Sequence, residues 1–168
     1  MKRLIIPLLI LTLFSCKEDP NYDVLPNQRP LYNYGDTFYY YSGQTKETEA
    51  FVVSSVVYQY DIDDERYCFK ESTFDKVGDT AVRVSIRPPY SDDCLLVAVC
   101  ESSWVSDAQK DTININNTDY TVVKTFLYYE DDSVTGPTAL YSSVKYGLMG
   151  YEYSDNVSYF ITNPAKKK

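Results

Sequence analysis

Histidine is absent from the 168-residue chain, which removes the commonest general base, every His-dependent nucleophile dyad or triad, and the usual zinc and iron ligand. What remains is the chemistry of carboxylates, thiols and phenols. Asp and Glu together number 24, so a pair flanking a glycosidic bond can always be imagined. Such hydrolysis needs two carboxylates at a set separation, and a count of acids shows no separation. Asp61, Asp63, Asp64 and Glu65 offer hard oxygen ligands, yet they lack the alternating acids, central Gly and closing Glu of a calcium loop. They read as a solvated turn, as do Asp92-Asp93 and Glu130-Asp131-Asp132. No Gly-x-Ser-x-Gly, Gly-rich phosphate loop or Cys-x-x-Cys occurs. No cofactor, no metal site and no catalytic residue is expected.

The phenols carry more information. The chain holds 18 Tyr and a single Trp. Aromatic rings stack on sugar faces while their polar tips bond to hydroxyls, and the same residues dominate protein interfaces. The neighbours Tyr39-Tyr40 and Tyr128-Tyr129 must split between the two faces of a strand, so one of each pair is expected outside. Tyr39, Tyr41, Trp104, Tyr128, Tyr151 and Tyr153 are the candidate binding aromatics. The plainer reading is that tyrosines in a small β domain are half-buried strand formers.

The elements that must position them are strands. Short runs of Val, Ile, Thr, Tyr and Phe alternate with Asp, Ser, Asn and Gly clusters. Candidate strands are 36–42, 49–60, 66–71, 81–87, 94–104, 119–129, 138–145, 147–153 and 157–162. The cleanest alternation, 81–87, sets Val82, Val84 and Ile86 on one face and Arg83 and Arg87 on the other. Segment 102–110 has room for one helical turn. Gly147 suits a bulge or tight bend, and Gly150 a place where a neighbouring ring packs over backbone. The expected fold is all-β: a single antiparallel β-sandwich or small β-barrel of about 8–10 strands on an extended N-terminal tether. With 44% hydrophobic and 24% charged residues, the composition suits a packed globule. A net charge of −8, more negative still once Lys2 and Arg3 leave with a leader, excludes a protein that lives on nucleic-acid phosphates.

Met1-Lys2-Arg3 and the apolar run 4–14 form a signal-peptide core, too short to span a bilayer that needs about 20 residues. Leu13-Phe14-Ser15-Cys16 resembles the lipobox of bacterial lipoproteins, which implies that Cys16 is acylated and becomes the mature N-terminus. Several acyl chains make membrane attachment stable where one does not. Lys17-Glu18-Asp19 is similar to the export signal of surface lipoproteins in the Bacteroidota, which implies an outer-membrane, cell-surface address. The Tyr141–Tyr151 stretch resembles uncharacterised β-rich lipoproteins of that phylum, and adds no activity. Asp79-Thr80-Ala81, Asp111-Thr112-Ile113 and Asp132-Ser133-Val134 look like the O-glycosylation motif of exported proteins there, implying modification at Thr80, Thr112 and Ser133. The expected organisation is leader 1–15, lipidated tether 16–34 with tyrosines able to dock on the domain, β domain 35–163 and basic tail 164–168.

Beyond Cys16 the thiols are Cys68, Cys94 and Cys100, an odd number in a compartment that permits disulfides. On one strand, Cys94 and Cys100 would lie about 20 Å apart, too far to bridge. Cys68 with Cys100 is the preferred pair, Cys68 with Cys94 the second choice, and three reduced, buried thiols the remaining reading. The expected function is a non-enzymatic, membrane-anchored surface lipoprotein that binds a glycan or a protein through its Tyr-rich surface. A periplasm-facing structural accessory of an envelope complex is the alternative, and a carboxylate-only glycosidase a distant third.

Overall fold

The computed structural model describes residues 30–61, 66–79, 82–87, 97–100, 102–130 and 136–164, without the side chains of 59–61, 66–69 and 97. Ten strands follow in chain order: β1 (Thr37–Tyr41), β2 (Thr48–Asp61), β3 (Arg66–Lys76), β4 (Arg83–Arg87), β5 (Val97–Cys100), β6 (Trp104–Ile115), β7 (Thr118–Tyr128), β8 (Ala139–Ser143), β9 (Gly147–Glu152) and β10 (Ser158–Ile161). They form one sheet in the order β5-β4-β3-β2-β1-β10-β9-β8-β7-β6. Every ladder is antiparallel. The chain is therefore an up-and-down meander whose first and last strands pair, rolled into a nearly closed barrel. Its seam lies between β5 and β6, which succeed each other in sequence. Closure leaves few free edges, the general advantage of such meanders. At the seam the Ala98 amide of β5 donates to Thr125 Oγ1 on β7, at 3.3 Å.

Alternation selects the interior. In β4, Val84 and Ile86 are buried while Arg83 and Arg87 lie outside, pairing with Asp75 and Glu71 of β3. Tyr40, Phe51 and Tyr151 are fully buried, with ring centroids 5.3–5.6 Å apart. Such rings each bury 150–250 Å² and dominate the energetics of a core this small. The Tyr40 hydroxyl donates to the Leu148 carbonyl at 2.8 Å, which satisfies the one polar atom that its ring carries inside.

One end of the barrel, the foot, is filled from the N-terminal segment. Tyr32, within the stretch expected as tether, is 3% exposed. Its ring meets Phe38 and Phe74, and its hydroxyl lies 2.8 Å from Ser72 Oγ. Docking of a tether tyrosine, expected from the sequence, is thus observed, whereas Tyr34 is 77% exposed. Gly147 turns the chain from β8 into β9 at φ +76°, against Phe74 and Tyr32. A side chain at Gly150 would stand 2.6 Å from Phe160 and 2.7 Å from the Tyr159 carbonyl. Both glycines do what their positions in the sequence suggested.

The β6–β7 hairpin departs from that reading. Its turn, Asn116-Asn117, has both residues at positive φ (52° and 61°), the signature of a type I′ hairpin turn. The Asn116 side-chain amide donates to the Thr162 carbonyl at 3.0 Å, although β7 and β10 stand three strands apart in the sheet. The hairpin therefore curls back across the outside of the barrel. This accounts for β8 and β9 being buried on both faces, and for the burial of Ile113, Ile115 and Val122.

Three expectations are corrected. Segment 102–110 holds no helical turn but opens β6, and 94–104 is not one strand. A tight turn, with Ser102 at φ 63° and the Ser103 hydroxyl bonded to the Cys100 carbonyl at 2.8 Å, divides β5 from β6. The register also separates Cys68 from Cys100. Cys100 lies opposite Val84, and Val84 opposite Phe74, six residues along β3 from Cys68. Six residues of strand span roughly 20 Å, far beyond the reach of a disulfide. Cys100 itself is buried, and Cys94 lies outside the described residues.

Candidate aromatic binding face

The register sets Trp104, Tyr128, Tyr39 and Tyr41 on the outer face of the sheet, in two groups. Trp104 lies directly opposite Tyr128 at the start of β6 and the end of β7. The partner face of that ladder, Val105 and Leu127, packs into the core, so Trp104 and Tyr128 point outward. They are 57% and 48% exposed, with cross-strand Cβ atoms about 5 Å apart. From this pair the outer face continues across the sheet in register. Phe126 is on the next row, then come Lys124 opposite Tyr141, Tyr141 opposite Gly150, Gly150 opposite Phe160, and Phe160 opposite Tyr41. Tyr39 shares that face of β1, and both β1 tyrosines are exposed. From β6 to β1 the row covers five strand spacings, roughly 24 Å along the sheet, but it is open only at its two ends, Trp104–Tyr128 and Tyr39–Tyr41; Tyr141 and Gly150 between them are buried.

A β-bulge falls between Val105 and Asp107. Bulges raise local twist and re-aim side chains, and this one sits beside the most exposed aromatic pair. The Ser106 hydroxyl on the bulge donates to the Phe126 carbonyl at 3.2 Å, which pins the backbone there.

The middle of the strip is rigid. The Lys124 ammonium lies 5.0 Å from the Phe126 ring centroid and 4.9 Å from that of Tyr141. It pairs with Glu152 at 3.0 Å, and Glu152 also accepts the Tyr141 hydroxyl at 3.0 Å. Burial pulls the Lys124 pKa down, but its bonds to Tyr141 and Glu152 outweigh this and hold it above the ordinary lysine range. Burial is also the main cause of the raised pKa of Tyr141, with Lys124 opposing and Glu152 adding to it. At neutral pH Lys124 is therefore a fixed cation and Tyr141 a neutral phenol.

Tyr151 and Tyr153 do not belong to this face. Tyr151 is 0% exposed, so neither side of its ring is open to a ligand, and its place among the binding aromatics is withdrawn. The reason is parity: it stands opposite Leu140 and Tyr159 on the interior face. Its ring stacks on Tyr159 at 5.1 Å and 8°, and Tyr153 meets both rings edge-on. Together with Glu47, Glu49 and Lys76 they close the other end of the barrel, the mouth. Lys76 pairs with Glu49 at 2.8 Å and donates to the Tyr153 hydroxyl at 3.4 Å. The Tyr151 hydroxyl donates to Glu49, and the Tyr159 hydroxyl to Glu47 at 3.1 Å. Burial above all, then Glu49, pushes the Tyr151 phenol far above its ordinary value. Each polar group here bonds to another in the cluster. Glu49 is matched by a lysine.

A Ser-x-x-Lys spacing, expected to be absent, is present at Ser142 and Lys145. On a helix that spacing aligns side chains; here Ser142 lies in β8 and Lys145 occupies the turn after it. The Ser142 hydroxyl is buried without a hydrogen-bond partner, and the Lys145 ammonium sits 5.3 Å over the Tyr146 ring. They do not form a catalytic pair.

Thr112, one of the candidate O-glycosylation sites, is exposed on β6, with its amide bonded to Asp111 Oδ1 at 2.7 Å. Thr80, Ser133, Cys16, Lys17, Glu18, Asp19 and most of the Asp61–Glu65 turn lie outside the described residues. Among the described residues no cluster of acids and thiols has the grouping of a metal site. No helix among them is long and apolar enough to cross a membrane. No protein-family model, curated protein or solved structure matches the chain.

Proposed function

We propose that this chain is a lipid-anchored outer-membrane protein, displayed at the cell surface, that holds a glycan on the outer face of its barrel without catalysing a reaction on it. The supporting observation is the Trp104–Tyr128 pair: two large aromatic residues opposite each other on adjacent strands, about half exposed, beside a pinned bulge. Isolated exposed aromatics are unremarkable, but rings left in register on a rigid strand pair keep their faces available at little entropic cost. Among the described residues the barrel interior is filled by packed rings. Membrane attachment rests on Cys16, and surface display on Lys17-Glu18-Asp19.

Trp104 is the only tryptophan, so it reports on its own occupancy. Titrating a soluble Cys16→Ala variant with polysaccharides should give a saturable change in tryptophan emission, lost in Trp104→Ala by gel-retardation with the same polysaccharide. If no polysaccharide changes the emission or retards the protein, the glycan reading fails. The address is tested separately by protease on intact and lysed cells: digestion on intact cells is expected, and protection would turn the search to partners on the periplasmic side.

A further inference from the structure

We infer that the Trp104–Tyr128 face selects neutral glycans and rejects those carrying uronate or sulfate groups. This rests on the glycan reading above and deepens it. The charges around the pair are one-sided. The row next to it on the outer face runs Asp107, Phe126, Ala139, Glu152 across four strands. Asp107 is exposed, as is Glu130 two residues beyond Tyr128.

Among the described residues the cation nearest the pair on this face is Lys124, and it is committed. Its ammonium is paired with Glu152 and set against the Phe126 and Tyr141 rings, with its side chain only 17% exposed. A sulfate or uronate seated on Trp104 would have to break that pair or sit uncompensated among carboxylates. Carboxylates accept hydrogen bonds from sugar hydroxyls, and rings cover the apolar face of a pyranose, so a neutral chain meets only complementary groups. Trp104 also begins β6, an edge strand with no ladder on its other side among the described residues.

The test pairs each neutral polysaccharide with its charged derivative: dextran with dextran sulfate, and cellohexaose with carboxymethylcellulose. Trp104 emission and affinity electrophoresis are read on the Cys16→Ala chain at low and high salt. The expected result is saturable binding of a neutral member, unaffected by salt. Its derivative should bind at least tenfold more weakly at low salt, and the gap should narrow as salt screens the carboxylates. Asp107→Asn, on an exposed position, should narrow the same gap at low salt. Equal or tighter binding of the charged derivative overturns the selectivity while leaving the glycan reading intact. Binding of neither member of any pair sinks the glycan reading itself. If oligolysine binds the face more tightly than every polysaccharide, the acids serve a basic protein partner and the inference is overturned.

Discussion

Tyr32 gives the sharpest test of how the barrel is finished at its foot. Replacing it with Ala removes a ring that is 3% exposed and lies against Phe38, Phe74 and Gly147. Truncating a buried aromatic to Ala costs about 3–5 kcal/mol. The fully buried Ser72 hydroxyl also loses its 2.8 Å partner, a further penalty of about 1–2 kcal/mol where no water replaces it. Together that is about 4–7 kcal/mol, against a total of about 5–15 kcal/mol for a typical domain. At this size it corresponds to a fall in Tm of about 15 °C. Tyr32→Phe keeps the ring and should lose about 5 °C, by the same conversion. Tyr34→Ala, two residues on and 77% exposed, should change nothing. Thermal and urea melts followed by near-UV circular dichroism, on chains starting at residue 17, read all three. A Tyr32→Ala chain melting within a few degrees of wild type would refute the plugged foot, and so would a chain cut after residue 34 with unchanged stability.

Gly150→Ala places a methyl 2.7 Å from the Tyr159 carbonyl, which is backbone and cannot swing aside; overpacking of this kind costs about 1–3 kcal/mol, and a Tm equal to wild type would mean that the strands can part. Trp104→Ala removes an exposed ring from an edge strand and should shift stability by no more than about 0.5 kcal/mol, so a melting point lowered by more than a few degrees would assign Trp104 to the core. Burial raises the phenols of Tyr40, Tyr151 and Tyr129 above the ordinary 10.0; the folded state then holds protons that the unfolded state releases, so their contribution is complete below about pH 10 and is lost as pH rises toward the folded values. Absorbance at 295 nm during alkaline titration should therefore show these tyrosines ionising together with unfolding, and independent, non-cooperative ionisation near pH 10 would contradict their burial.

Much of the fold was legible because most strands obey period two. Val82, Val84 and Ile86 against Arg83 and Arg87 announced β4, and the Val, Tyr and Phe runs located β1, β2, β7, β9 and β10. What escaped notice was β6. Its Asp107-Ala108-Gln109-Lys110 stretch is poor in strand formers because an edge strand at the seam buries little until Ile113 and Ile115, where the hairpin curls over the sheet. No local pattern announces such a curl. It depends on an Asn116–Thr162 contact 46 residues apart.

The binding face was half legible. Adjacent tyrosines implied that one of each pair lies outside, since alternation is local; in the structure the outer ones are Tyr39 and Tyr128, with Tyr40 inside. Which of two equivalent parities faces the core is not local, and that is why Tyr151 was misplaced: its side is fixed by Leu140 and Tyr159 on neighbouring strands. Cys68 and Cys100 failed as a pair for the same reason, because strand order and register set their separation and spacing along the chain does not.

The most direct measurement is the dissociation constant of the soluble chain for a neutral polysaccharide, taken by affinity electrophoresis for wild type, Trp104→Ala and Tyr128→Ala, with the Tm of each recorded alongside. Rings that anchor an interface cost about 2 kcal/mol or more when truncated. Each variant should therefore lose at least tenfold in affinity while melting with the wild type. Wild-type affinity in both variants would contradict the assignment of this face.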